Sequence, residues 1–171
     1  VMGVGPDRGM GAQLARRFAS CGLHVVVAGR TAANLDSVVQ AILAAGGHAS
    51  AVVADATSEA DTIALFNAAA AVGPISLAIF NAGNNTPGRI EEMSAEYFED
   101  SWRLCCFGGF LFGREAVKHM KPAGAGAVLF TGASASLRGR SNFGAFNSSK
   151  AALRAFAQAL AKEHGADGIH V

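Results

Sequence analysis

A chain of 171 residues is long enough for one domain with a sizeable core. Its 51% apolar and 16% charged residues suit strands buried on both faces, and a formal net charge of +1 with scattered basic residues excludes a strong pull toward nucleic acid or an anionic membrane surface. Cys21, Cys105 and Cys106 cannot build a disulfide framework and point to a reducing, cytoplasmic setting; no His or Cys spacing matches a metal site, and no apolar run is long enough to span a bilayer.

The chain opens inside a strand, Val1 to Val4. A helix is expected from about Met10 to Ser20, with Leu14, Ala15 and Phe18 on one face. The second strand is Leu23 to Ala28, and Thr31 caps a helix that Gly46 and Gly47 stop. His48 to Ala54 is the third strand. Ser58 with Asp61 makes a start signal of capping-box type for a helix to Ala71, and Ile75 to Phe80 is the fourth strand. After a polar loop, Ser94 caps one long helix from about Ala95 to Met120. Ala127 to Thr131 is the fifth strand, a loop spans Gly132 to Arg140, and a helix covers roughly Phe143 to His164. Gly168 to Val171 reads as a strand beginning. Both ends read as cut, which leaves a targeting segment upstream open. Strands alternating with helices imply an α/β fold with a parallel sheet covered on both faces. Ligands bind such sheets at the carboxyl ends of the strands, so the informative loops follow Val4, Ala28, Ala54, Phe80 and Thr131.

The first of these loops, Gly5 to Gly11, has the spacing G-x-x-x-G-x-G. Glycines there let backbone N–H groups at a helix N-terminus meet a phosphate. Arg30 follows the second strand, where NAD-binding folds usually carry an acid for the ribose 2′-hydroxyl. Arg30 and Arg8 suit a 2′-phosphate, which favours NADP over NAD; as a structural alternative both are solvated surface charges. Asp55, followed by Ala56 and Thr57, either accepts from an adenine amino group or caps the next helix. Asn81-Ala82-Gly83 lets backbone lie beside a cofactor, and Asn81 is more readily a tie between strands.

Together, Gly5-x3-Gly9-x-Gly11, Asp55, Asn81-Ala82-Gly83 and Lys150 resemble the short-chain dehydrogenase/reductase family in order and spacing, over the whole chain. The resemblance implies a doubly wound parallel sheet of Rossmann type in three α/β/α layers. It implies a single dinucleotide-binding domain over residues 1–171, incomplete at its first strand, its last strand and its substrate-covering loop. It also implies hydride transfer between NADP(H) and a carbonyl or alcohol of a small-molecule substrate, in a homo-dimer or homo-tetramer packed through the long helices. Ala151, Leu153, Phe156 and Leu160 are candidates for that interface or for the core. The implied cofactor-binding residues are Gly5, Arg8, Gly9, Met10, Gly11, Arg30, Asp55, Ala56, Asn81, Ala82, Gly83 and Lys150.

Of the family's four catalytic positions, Lys150 alone is clearly kept. The tyrosine position is Phe146, and the position seven residues before the lysine is Phe143; the sole tyrosine, Tyr97, lies near the start of the long helix. The serine position is Ala133, with Ser134 the nearest substitute, and the helix asparagine falls on Cys105. Cys105 and Cys106 read as packing residues rather than nucleophiles. Lys150 and Ser134 are therefore the catalytic candidates, with a water held by either as proton source. Losing a positioned acid–base group costs about 10²–10⁴ in rate, or roughly 3–5 kcal/mol, without removing the hydride chemistry that a cofactor performs. The sequence thus supports an NADP-dependent oxidoreductase with an altered proton relay. Two alternatives are a catalytically inactive NADP-binding regulatory or partner subunit, and a lyase or isomerase on the same scaffold.

Overall fold

The computed structural model describes residues 1–171. Apolar β-branched runs become strands: β1 (His24–Gly29), β2 (His48–Val53), β3 (Leu77–Phe80), β4 (Gly126–Phe130) and β5 (Ile169–His170). The helices are α1 (Met10–Ala19), α2 (Ala32–Ala44), α3 (Glu59–Val72), α4 (Ala95–Trp102), α5 (Gly108–Met120) and α6 (Gly144–His164).

All pairings are parallel. β1 pairs with β2, with His24 opposite His48, while β3 pairs with β4 and β4 with β5. The N-terminal segment joins the two groups. Met2 bridges to both Ala28 and Phe80; Met2 N donates to Ile79 O, Asn81 N to Met2 O, and Gly3 N to Ala28 O. The spatial order is β2, β1, the N-terminal segment, β3, β4, β5. Val1 to Val4 therefore occupies the centre of the sheet, although only Met2 makes ladder bridges.

Side-chain alternation on β1 divides the core. Val25 and Val27 face a layer with Ala12, Ala15, Leu35, Val38 and Ile42 of α1 and α2. Ala28 and Val26 face the other layer, where Phe66, Phe80, Phe112, Leu153 and Leu160 pack. Each large side chain fully buried in this way contributes about 1.5–3 kcal/mol. Leu153 and Leu160 are core residues, while Ala151 is exposed. The outcome is the three-layer, doubly wound α/β sheet.

Local signals resolve in three ways. Ser58 caps α3 by accepting from Asp61 N, but the Asp61 carboxylate accepts from Asp55 N rather than closing a box on Ser58. Ser94 caps α4 by accepting from Tyr97 N, whereas Thr31 makes no side-chain cap bond. The single helix expected over 95–120 is interrupted by a π turn at Arg103–Phe107. Residues five apart line up in such a turn, and Trp102 stacks on Phe107 at 6.4 Å. Gly108 then lets the helix approach so closely that a Cβ there would lie 2.7 Å from Ala56 O.

Candidate active site

Four loops at the carboxyl ends of the strands enclose a cleft of about 430 Å³. Gly5, Gly9, Met10, Gly11, Arg30, Asp55, Ala56, Asn81, Ala82 and Gly83 all line it. Arg8 does not: it is exposed in the loop and forms no part of the cleft wall. Thr31, read from the sequence only as a helix cap, lines the cleft as well, as do Asn34 and Leu104, which the sequence did not single out. Thr31 follows Arg30 directly and Asn34 is one helical turn on, so proximity to Arg30 was the available signal.

The glycine loop is shaped from behind. Arg16 forms an ion pair with Asp7 and also donates to the Asp7 carbonyl at 2.8 Å, while Gly9 N donates to Pro6 O at 2.7 Å. Gly9 stands at the N-cap of α1 without a side-chain cap bond, and the helix has no acid in its first turn. The first-turn N–H groups of a helix lack intrahelical partners, so here they are left for an anion together with the positive end of the helix dipole. A Cβ on Gly5 would meet nothing within 4 Å, so the loop's backbone is bare on that side. These features fit a dinucleotide phosphate.

Asn81 is primarily a tie. Its amide donates to Gly3 O at 3.1 Å and its carbonyl accepts from Thr131 Oγ1 at 2.9 Å. Gly3 has a φ of +89°, in the left-handed region, and a Cβ there would run into the backbone of Ala82. Only glycine lets the N-terminal segment pass so close to the 81–83 loop. Asp55 does the work of a turn cap: Oδ1 accepts from Thr57 N and Thr57 Oγ1, both at 2.8 Å. Its Oδ2 takes no protein donor and remains free at the cleft edge. Arg30 is exposed and unpaired, with no carboxylate competing for its guanidinium.

Behind the Gly83 end of the cleft lies Lys150, only 4% exposed. α6 carries it there by burying Ala145, Ser149, Lys150 and Leu153 on one face. Its Nζ donates to Thr131 O at 2.7 Å and sits 5.9 Å from the centre of the Phe146 ring. A Cβ on Gly83 would be 3.4 Å from that Nζ. Burial pushes the Lys150 amine below its usual value, and the neighbouring Cys105 opposes this in part.

Ser134 opens a short 3-10 turn, is exposed, and makes no side-chain hydrogen bond; it is not on the cleft wall. Asn147, Ser148 and Ser149 bond to Arg140 O, Gly144 O and Ala145 O respectively, so each serves its own helix or the loop before it. Asn142, at φ 65°, accepts from Gly88 N at 2.8 Å and stitches the loop after β3 to the one before α6. The Tyr97 hydroxyl donates to Thr86 O. No group of three or more potential metal ligands is present.

With this geometry, a profile of the short chain dehydrogenase family matches residues 1–171, and the chain belongs to that family. Among solved structures it is similar to a short-chain dehydrogenase from Rhodopseudomonas palustris, with 41% identity and a TM-score of 0.95 over 99% of this chain and 79% of that one. An actinorhodin polyketide ketoreductase solved with NADPH is similar at 26% identity and a TM-score of 0.91, over 95% of this chain and 64% of that one. Gluconate 5-dehydrogenase of Gluconobacter oxydans (strain 621H) is 30% identical over 98% of this chain. The chain spans 66% of that relative's length.

Proposed function

We propose that this protein is an NADP(H)-dependent oxidoreductase of the short-chain dehydrogenase type, acting on a carbonyl or alcohol of a small molecule with an altered proton relay. The observation that carries the reading is the placement of buried Lys150 behind Gly83, at the end of a cleft whose other end is the uncapped N-terminus of α1. The glycine loop and the first turn of α1 would hold the phosphates. Arg30, with Thr31 and Asn34 beside it, would take the 2′-phosphate, and Asp55 the adenine amino group through its free oxygen. Backbone at Ala56, Ala82 and Gly83 would line the rest. The bound nicotinamide would supply or accept the hydride. Lys150 would hold the proton that balances it, since Phe146 has no ionisable group.

Phe146, Ala133 and Cys105 favour the second reading, an inactive binding subunit. Titration of NADPH and NADH by cofactor fluorescence tests the cofactor assignment, and a carbonyl turnover assay on the same protein separates the two readings. Arg30→Ala is expected to weaken NADPH binding about 10–100-fold and NADH binding much less, as loss of a charge-assisted bidentate contact would do. Equal losses would remove the NADP assignment. Tight NADPH binding without turnover of any carbonyl would favour the inactive subunit. We further propose a homo-dimer or homo-tetramer in the cytoplasm; exposed Phe98, Trp102 and Phe110 on α4 and α5 support association through those helices.

A further inference from the structure

β2 is the edge strand of the sheet, and its first residue, His48, stands directly opposite His24, the first residue of β1. Side chains opposite one another on paired strands point to the same face, and alternation puts Ser50, Val26 and Val52 on that face too. The two imidazole rings are nearly parallel, with planes 10° apart and centres 6.4 Å apart. Both histidines are exposed. His24 Nε2 lies 3.1 Å from Ser50 Oγ, a bond that holds this ring over β2. With Nε2–H donating to the serine, the lone pair of Nδ1 is left open. A metal-bound imidazole engages its second nitrogen in this way. His48 has no hydrogen-bond partner in the protein, since the rings that bond are those of His24 and His164. Carboxylates pair with His164 and with neither His24 nor His48.

We propose that His24 and His48 form a two-imidazole site for a divalent transition ion of the zinc, nickel or copper type. Imidazole nitrogens suit these ions, whereas magnesium and calcium need the oxygen donors that this pair lacks. With metal–nitrogen bonds of about 2.0–2.1 Å, two imidazoles on one ion have ring centres roughly 5–6 Å apart, so side-chain rotation closes the pair without moving the backbone. Water completes the coordination, with Ser50 Oγ alongside. The site stands at the amino ends of β1 and β2, and the glycine-loop cleft lies at the carboxyl ends. The ion therefore takes no part in hydride chemistry and ties the edge strand to its neighbour. The site is independent of the oxidoreductase reading above.

The test is a Zn²⁺ titration of the full chain, without cofactor, by calorimetry and by NMR of the histidine rings. It is run in a Cys21→Ser background, which removes the exposed thiol as a competing ligand. The ring signals of His24 and His48 are expected to move together and to saturate at one ion per pair. His24→Ala and His48→Ala are each expected to weaken Zn²⁺ binding at the pair about tenfold or more, because the second imidazole of a chelate binds intramolecularly. Urea unfolding gives a second reading. At free Zn²⁺ ten times its dissociation constant, the folding equilibrium constant should rise about tenfold, and each single variant should lose that rise. The proposal is overturned if a large excess of Zn²⁺ moves neither ring, if the two rings saturate separately, or if only one of the two substitutions weakens binding.

Discussion

The Lys150 ammonium lies 5.9 Å from the centre of the Phe146 ring, one helical turn back on α6. A cation over an aromatic face in a buried setting is stabilised by about 1–2 kcal/mol, so Phe146 helps to hold the lysine in place while contributing no proton.

Phe146→Tyr adds a hydroxyl to that ring. It is expected to raise NADPH-linked carbonyl reduction at least tenfold, toward the ~10²–10⁴ that a positioned acid contributes. The check is loss of NADPH absorbance across a panel of aldehydes and ketones. No turnover in either form, with NADPH still bound, would count against an active relay.

Lys150 also makes stability depend on pH. Burial lowers its value below the usual 10.5, with Cys105 opposing, so the folded protein binds fewer protons there than the unfolded chain between the two values. Stability therefore rises with pH through that window. The penalty for burying the ammonium is fully present below the folded value and gone above 10.5. Urea unfolding of wild type and Lys150→Met from neutral to alkaline pH should show the rise in the wild type alone.

Two glycines of the same loop separate folding from binding. A Cβ on Gly11 would lie 2.6 Å from Gly3 O and 3.0 Å from Val4 Cα, whereas one on Gly5 meets nothing within 4 Å. Gly11→Ala should cost about 1–3 kcal/mol by forcing α1 off the N-terminal segment. Gly5→Ala should stay within about 0.5 kcal/mol of wild type and weaken NADPH binding roughly tenfold by covering bare backbone. Denaturant melts and fluorescence titrations on the two variants read both quantities.

Asn81→Ala removes the bonds to Gly3 O and Thr131 Oγ1 together. A loss of about 1–3 kcal/mol is expected, because the partly buried Gly3 carbonyl loses its side-chain donor. Chemical denaturation measures it. Retained stability would mean that water replaces the amide at no cost.

Local pattern made much of the fold legible. Ser58 and Ser94 announced their helices through a short-range bond, and the alternation of strands with helices implied the parallel sheet. Thr31 misled because its carbonyl rather than its hydroxyl takes the first N–H groups of α2, and the residue lines the cleft. The π turn was hidden because a one-residue insertion into a helix leaves the apolar pattern on either side nearly intact. In the site, Gly5, Arg30 and Asp55 could be picked out from loop position alone, but the exposed placements of Arg8 and Ser134 could not.

By itself, then, the sequence determined the order of strands and helices, the glycine loop and the absence of tyrosine at position 146, because each depends on residues close together along the chain. The tertiary structure alone decided that Asn81 serves Gly3 and Thr131, that Lys150 is buried on Thr131 O, and that Cys105 shares the Gly83 backbone with it. Those relationships join residues from 19 to 78 positions apart, and only packing of the helices on the sheet brings them together.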